Sequence, residues 1–140
     1  YFRRHVIDFE WTADGGLRTR QIRQAVATHP VTGEVLWFNH AHLFHESNLP
    51  PDVRAGLRAA FGSGGMPRNA YYGDGTPIDD AVLDAIRDSY AACSLAFTWQ
   101  TGDVLLLDNY LAVHGREAYR GPRQVLVAMS QLCDASAALT

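Results

Sequence analysis

The apolar positions of this chain switch between a period of two and a helical period. Val6 to Trp11 is β-branched and aromatic, and it ends at Ala13-Asp14-Gly15-Gly16, a turn signal, so a strand is expected there. Leu17 to Thr28 reads as extended, with Arg18 and Arg20 on one face and Thr19 and Gln21 on the other. His29-Pro30-Val31-Thr32-Gly33 is a turn, and Glu34 to His40 (EVLWFNH) returns as a strand. Residues 17–40 are therefore expected to form a hairpin.

Pro50-Pro51-Asp52 opens a predicted helix whose apolar residues Val53, Leu57, Ala60 and Phe61 fall at helical spacing, and the run GSGG (62–65) ends it. Thr76 is the expected N-cap of a second helix, with Pro77 at its first position and Ile78, Val82, Leu83, Ile86 and Tyr90 along one face. Leu95 to Trp99 and Asp103 to Leu107 are expected as short strands around the Gln100-Thr101-Gly102 turn. The run VLLL, apolar on both faces, suggests burial on both sides. Asp108-Asn109 breaks that strand, Leu111 to His114 continues it, and 123–130 forms a last strand after a turn-rich loop. The expected fold is mainly β with α insertions, a barrel or sandwich carrying helices near 51–61 and 77–91 on its surface, in one domain over 1–140.

Composition narrows the function classes. Hydrophobic residues make up 47% and charged residues 19% of 140, which is a core-forming balance. A net charge of -3 offers no basic field for nucleic acid, and no apolar run is long enough for a membrane span. Cys93 and Cys133 are too few for a disulfide framework and point to a reducing, cytoplasmic setting. The start at Tyr1-Phe2-Arg3-Arg4-His5 is neither a signal peptide nor a start methionine, and reads as a cut through a longer protein. All twelve basic residues are arginine, a usage that genomic base composition explains and that also suits carboxylate ligands.

Six histidines are present. On a strand, His40 and His42 would share a face, as a zinc or iron pair does; the bland alternative is local hydrogen bonding at a strand end. His114 stands at the end of the apolar run, immediately before Gly115, where an imidazole can project into a cavity as the backbone turns away. Arg123 follows nine residues later at the start of the last strand, and strands joined by so short a loop are usually neighbours. A histidine and a guanidinium so placed suit a metal and an anionic ligand, although a structural histidine at a strand end is the commoner case. Non-heme iron oxygenases take two histidines and one carboxylate, the first histidine and the carboxylate usually in an H-x-D or H-x-E element. No histidine in this chain is followed two residues later by Asp or Glu.

The segment GDVLLLDNYLAVHGREAYRGPRQVLVAM (102–129) resembles the distal motif of the taurine dioxygenase-like and clavaminate synthase-like superfamily of Fe(II)/2-oxoglutarate-dependent dioxygenases, in particular its biosynthetic-pathway members. LRTRQIRQAVATHPVTGEVLWFNHAHLFH (17–45) and YYGDGTPI (71–78) carry the same likeness. The resemblance implies that the chain is the C-terminal part of a double-stranded β-helix, or jelly roll, with the proximal metal motif upstream. It implies His114 as the distal iron ligand and Arg123 as the residue that binds the remote carboxylate of 2-oxoglutarate. Arg116, of H-G-R, and Asn39, of W-F-N, match recurrent positions and are assigned to cosubstrate and substrate. Asp108 and Asn109 are expected to hold the turn before His114. Val125 stands where some relatives have a serine beside the arginine. The implied reaction is oxidative decarboxylation of 2-oxoglutarate coupled to hydroxylation of an amino acid or a carrier-bound amino acid. Halogenation by the same fold stays open, because a small residue replacing the carboxylate ligand would lie outside this chain. A cofactorless binding barrel and a zinc protein built on His40 and His42 are the other readings.

Overall fold

The computed structural model describes residues 1–122 and 124–130. They divide into two units, 1–23 with 40–98, and 24–39 with the described residues from 99 onward.

In the first unit, a 3-10 turn at Phe2–His5 leads into β1 (Asp8–Trp11), which pairs antiparallel with β2 (Leu17–Arg20). The turn between them is closed by its own residues. The Thr12 N–H donates to the Gly16 carbonyl and the Gly15 N–H to the Thr12 carbonyl, each at 2.9 Å. The Asp14 carboxylate accepts from the Gly16 N–H (3.2 Å) and from the Thr12 hydroxyl. Gly15 sits at φ 82°, a conformation that side chains strain to reach. Register places Glu10 opposite Arg18, and their 2.7 Å ion pair, exposed on both sides, contributes little.

The helical part follows: α1 (Ala41–Phe44), a 3-10 turn at Glu46–Asn48, α2 (Pro51–Phe61), a 3-10 turn at Ser63–Gly65, and α3 (Asp80–Ala92). The expected helix over 51–61 forms between the expected proline start and Gly62, which sits at φ 71°. Its apolar stripe does not become a core, since no residue of α2 is buried and Phe61 is 57% exposed. The second helix starts later than expected, at Asp80 with Asp79 in the cap position. Thr76 is otherwise engaged: its N–H and hydroxyl donate to Asp74 Oδ1 (2.9 and 2.7 Å), and its carbonyl accepts from the Tyr72 N–H (2.9 Å). It closes a tight turn with Asp74, and the helix begins beyond it, after Asp79. Ile78 and Leu83 from this stretch are buried, Leu83 to 1% exposure.

In the second unit, β3 (Val26–Thr28) pairs antiparallel with β4 (Val35–Trp37). The 29–33 turn forms as expected, with Gly33 at φ 74° and its N–H donating to the His29 carbonyl at 2.9 Å. The single hairpin expected over 17–40 is corrected. The tight Thr12–Gly16 loop folds β2 back on β1, so only 26–37 forms the second hairpin.

The expected strands at 95–99, 103–107 and 123–130 are a further correction. Among the described residues of these segments no strand ladder forms. The Gln100–Asp103 turn does form, with the Asp103 N–H donating to the Gln100 carbonyl at 3.1 Å. An extended segment becomes a strand only where its N–H and C=O groups meet a neighbour's, and among the described residues no strand lies beside these. The buried-on-both-sides expectation for VLLL fails with it, since Val104 and Leu106 are more than nine-tenths exposed. Among the described residues no helix is long and apolar enough to cross a membrane.

Candidate functional site

The second unit holds the segment that leads to His114, and its anchor is a residue pair the sequence did not single out. His29 is buried, and its Nδ1 accepts from the backbone N–H groups of Val31 (3.2 Å) and Thr32 (2.9 Å). With Nδ1 an acceptor, the ring proton sits on Nε2, which donates to Asp108 Oδ2 at 3.0 Å. The other carboxylate oxygen of Asp108 accepts from the Tyr110 N–H (2.9 Å), and its carbonyl accepts from Leu111 (3.1 Å) and Ala112 (2.9 Å). The Tyr110 ring stacks on Phe38 at 4.9 Å and lies edge-on to His29 at 5.5 Å. The His29 hydrogen bond, followed by the Tyr110 N–H, holds the Asp108 carboxyl below the usual carboxylate range. Asp108 thus holds the turn before His114, as expected.

The sequence-predicted residues fall as follows. His114 and Arg116 are exposed in an irregular stretch after that turn, and the Arg116 guanidinium lies 5.4 Å over the Tyr119 ring. Asn39 is half-buried at the end of the hairpin, where its amide donates to the Gln24 carbonyl at 2.8 Å. Arg123 lies outside the described residues.

The strand reading of His40 and His42 is corrected, because Ala41–Phe44 is a helical turn. Their rings lie 6.0 Å apart at 81°. His42 is buried and stacks on Tyr90 at 4.7 Å, and its Nδ1 has no hydrogen-bond partner among the described residues. Burial, then the neighbouring His40 and Arg87, push the His42 pKa down. Among the described residues no three His, Cys, Asp or Glu side chains converge on a metal position. The donor set therefore fits iron only in part: His114 offers one imidazole of suitable chemistry, and the described residues complete no ligand set around it.

Also unannounced by the sequence is a charged cluster in the first unit. Glu46 is buried, and Arg58 donates to both its carboxylate oxygens at 2.7 Å. Arg54 lies 3.6 Å from Glu46 and pairs with both oxygens of Asp80. Arg87 donates to the His42 carbonyl (2.9 Å) and to Ser47 Oγ (2.7 Å). Glu46, Arg54, Arg58 and Asp80, with His45, Asn69, Tyr71 and Ile78, line a cleft of about 510 Å³. Glu46 and Asp80 are matched to Arg54 and Arg58, which describes a clasp between helices. Arg54 and Arg58 stand four apart on one helix, a spacing that puts them on one face but is silent about the distant acids they meet.

Comparison with known proteins gives the family. The family model described as taurine catabolism dioxygenase TauD, TfdA family, matches residues 1–129. This chain belongs to that family. It is 46% identical over 129 residues to the dapdiamide synthesis protein DdaC of Enterobacter agglomerans, covering 92% of this chain and 39% of the relative. It is 32% identical over 123 residues to a clavaminate synthase-like protein of Arabidopsis thaliana, covering 86% of this chain and 33% of the relative. The chain thus spans between a third and two-fifths of the curated relatives it matches. No solved structure matches it significantly.

Proposed function

We propose that this chain contributes the distal half of the active site of an Fe(II)/2-oxoglutarate-dependent oxygenase that hydroxylates an amino acid, free or carrier-bound, in secondary metabolism. The observation that carries the reading is the reach of the family match. It runs to residue 129 and so takes in both His114-Gly115-Arg116 and Gly121-Pro122-Arg123. The similarity to a protein named for dapdiamide synthesis favours a biosynthetic role.

In this reading His114 supplies an imidazole to iron, and Arg123 holds the remote carboxylate of 2-oxoglutarate with its planar fork. Arg116, restrained by its stacking on Tyr119, is assigned to the cosubstrate. Asn39, oriented by its bond to the Gln24 carbonyl, is assigned to the substrate. Iron with 2-oxoglutarate would supply the oxidising power; the residues here bind and orient. The test measures succinate release by the full-length protein with iron and 2-oxoglutarate across a panel of amino acids. Release that needs both, that an amino acid stimulates and that His114→Ala abolishes is the expected result. Undiminished release by His114→Ala would sink the assignment.

A further inference from the structure

We infer that His29 and Asp108 are a positioning pair that sets where His114 leaves the polypeptide turn; this rests on the proposed role of His114 as an iron ligand. The chain from Asp108 to Ala112 is fixed at several points. Asp108 is tied to the buried His29 at 3.0 Å, and its other carboxylate oxygen accepts from the Tyr110 N–H at 2.9 Å. Its carbonyl accepts from Leu111 and Ala112, while the Tyr110 ring is stacked on Phe38 of the hairpin at 4.9 Å. His114 follows two residues after the last of these bonds, with no ladder of its own to direct it.

His29 is itself pre-set. Two backbone N–H groups of its own turn occupy Nδ1. The proton is therefore committed to Nε2, and the imidazole presents one donor in one direction. A carboxylate is the acceptor that matches it, because its second oxygen can still take the Tyr110 N–H. An amide cannot serve both contacts. Whichever way the side chain of an Asp108→Asn variant turned, its NH2 would face an N–H, either that of His29 or that of Tyr110. Merely filling space would not require this donor and acceptor order.

The experiment titrates full-length protein with Co(II) in place of iron and follows the visible absorption of the bound ion, which reports its coordination. Asp108→Asn and His29→Leu are expected to weaken Co(II) binding roughly tenfold, the scale typical of residues that orient a metal ligand. They should also alter the band. His29→Gln, which keeps a donor near the Nε2 position, should retain more affinity than His29→Leu. Leu83→Ala, a core change in the other unit, should leave affinity and spectrum unchanged below its unfolding temperature. If His29→Leu does not fold, the shape-preserving Asp108→Asn and His29→Gln decide alone. His114→Ala separates the two ideas. If it loses Co(II) while Asp108→Asn and His29→Gln bind like wild type, the positioning role is overturned and the iron-ligand role stands. If His114→Ala binds Co(II) like wild type, the iron-ligand role itself is overturned, and the positioning role with it.

Discussion

Glu46 and Arg58 meet through two parallel hydrogen bonds of 2.7 Å, one to each carboxylate oxygen. The pair fastens the 3-10 turn at Glu46–Asn48 to α2, a helix that buries no residue of its own. The docking of α2 thus falls to charge-assisted hydrogen bonds that an apolar stripe would elsewhere replace. The Arg58 hydrogen bonds, against the opposing effect of burial, hold the Glu46 carboxyl at about 2, down from an ordinary 4.5.

The sign of the resulting pH dependence follows. A carboxyl whose folded pKa is depressed stabilises the fold above its unfolded value, and that stability is lost as pH falls through the folded value. The Glu46 contribution is therefore complete above about pH 4.5 and declines toward pH 2. Glu46→Gln should lower stability at neutral pH by about 2 kcal/mol, the scale of a hydrogen bond to a charged group. It should also flatten the acid limb of the stability curve. Urea midpoints from pH 6 to pH 2.5 would decide it, and an unchanged acid limb would remove Glu46 as its source.

His42 acts in the same direction at milder acidity. Its pKa is pushed below the ordinary 6.5, chiefly by burial. A histidine that folds neutral stabilises the fold above 6.5 and loses that contribution as pH falls through its depressed value. His40, Arg87 and Tyr90 face it, so a proton there would find two potential cations and no acid among those neighbours. His42→Phe, which keeps the stacking on Tyr90, should reduce the stability lost between pH 7.5 and pH 5.5. An identical loss in wild type and variant would assign the transition elsewhere, with His45 next in line. That imidazole is also pushed down by burial, although Asp80 and Glu46 oppose the shift and Arg54 and Arg87 add to it.

Local signals were legible where the residues concerned close on their near neighbours. The Ala13–Gly16 and His29–Gly33 turns, the proline start of α2 and the Asp108 turn all depend on groups within a few residues. What failed depends on distant partners. VLLL reads as a buried strand because composition encodes hydrophobicity, whereas a ladder requires a second segment, and none lies beside it among the described residues. Thr76 looks like a cap until Asp74 is seen to engage its hydroxyl and N–H. At the candidate site, the motif around His114 was readable as a resemblance. The His29 to Asp108 bond spans 79 residues and leaves no spacing signal.

Leu83 tests how far α3 depends on packing. It is 1% exposed, the largest fully buried side chain among the described residues. Leu83→Ala should cost about 2–5 kcal/mol through lost burial and the cavity left behind. Thermal unfolding followed by the helical signal provides the measurement. A loss under about 1 kcal/mol would mean that the charged clasp, and not Leu83, seats the helix.

Arg123 is the sharpest test of the cosubstrate assignment. Its expected same-face neighbours Val125 and Met129 are apolar, and in the family's barrel a guanidinium among such residues needs an anionic partner. A ligand carboxylate would supply one, gripped by two parallel N–H groups. Lysine at this position keeps the charge and loses the fork. Arg123→Lys in the full-length protein should therefore raise the 2-oxoglutarate requirement about tenfold, the equivalent of one charged hydrogen bond, and leave iron binding nearly intact. Arg123→Ala should raise it further. His114→Ala should show the reverse pattern, with metal binding lost first. Calorimetric titration of 2-oxoglutarate into the metal-loaded variants separates these effects. The competing account is a salt bridge from Arg123 to an acid such as Asp103. It predicts a drop in thermal stability on Arg123→Ala with the 2-oxoglutarate affinity unchanged, and that pair of results would strike Arg123 from the cosubstrate site.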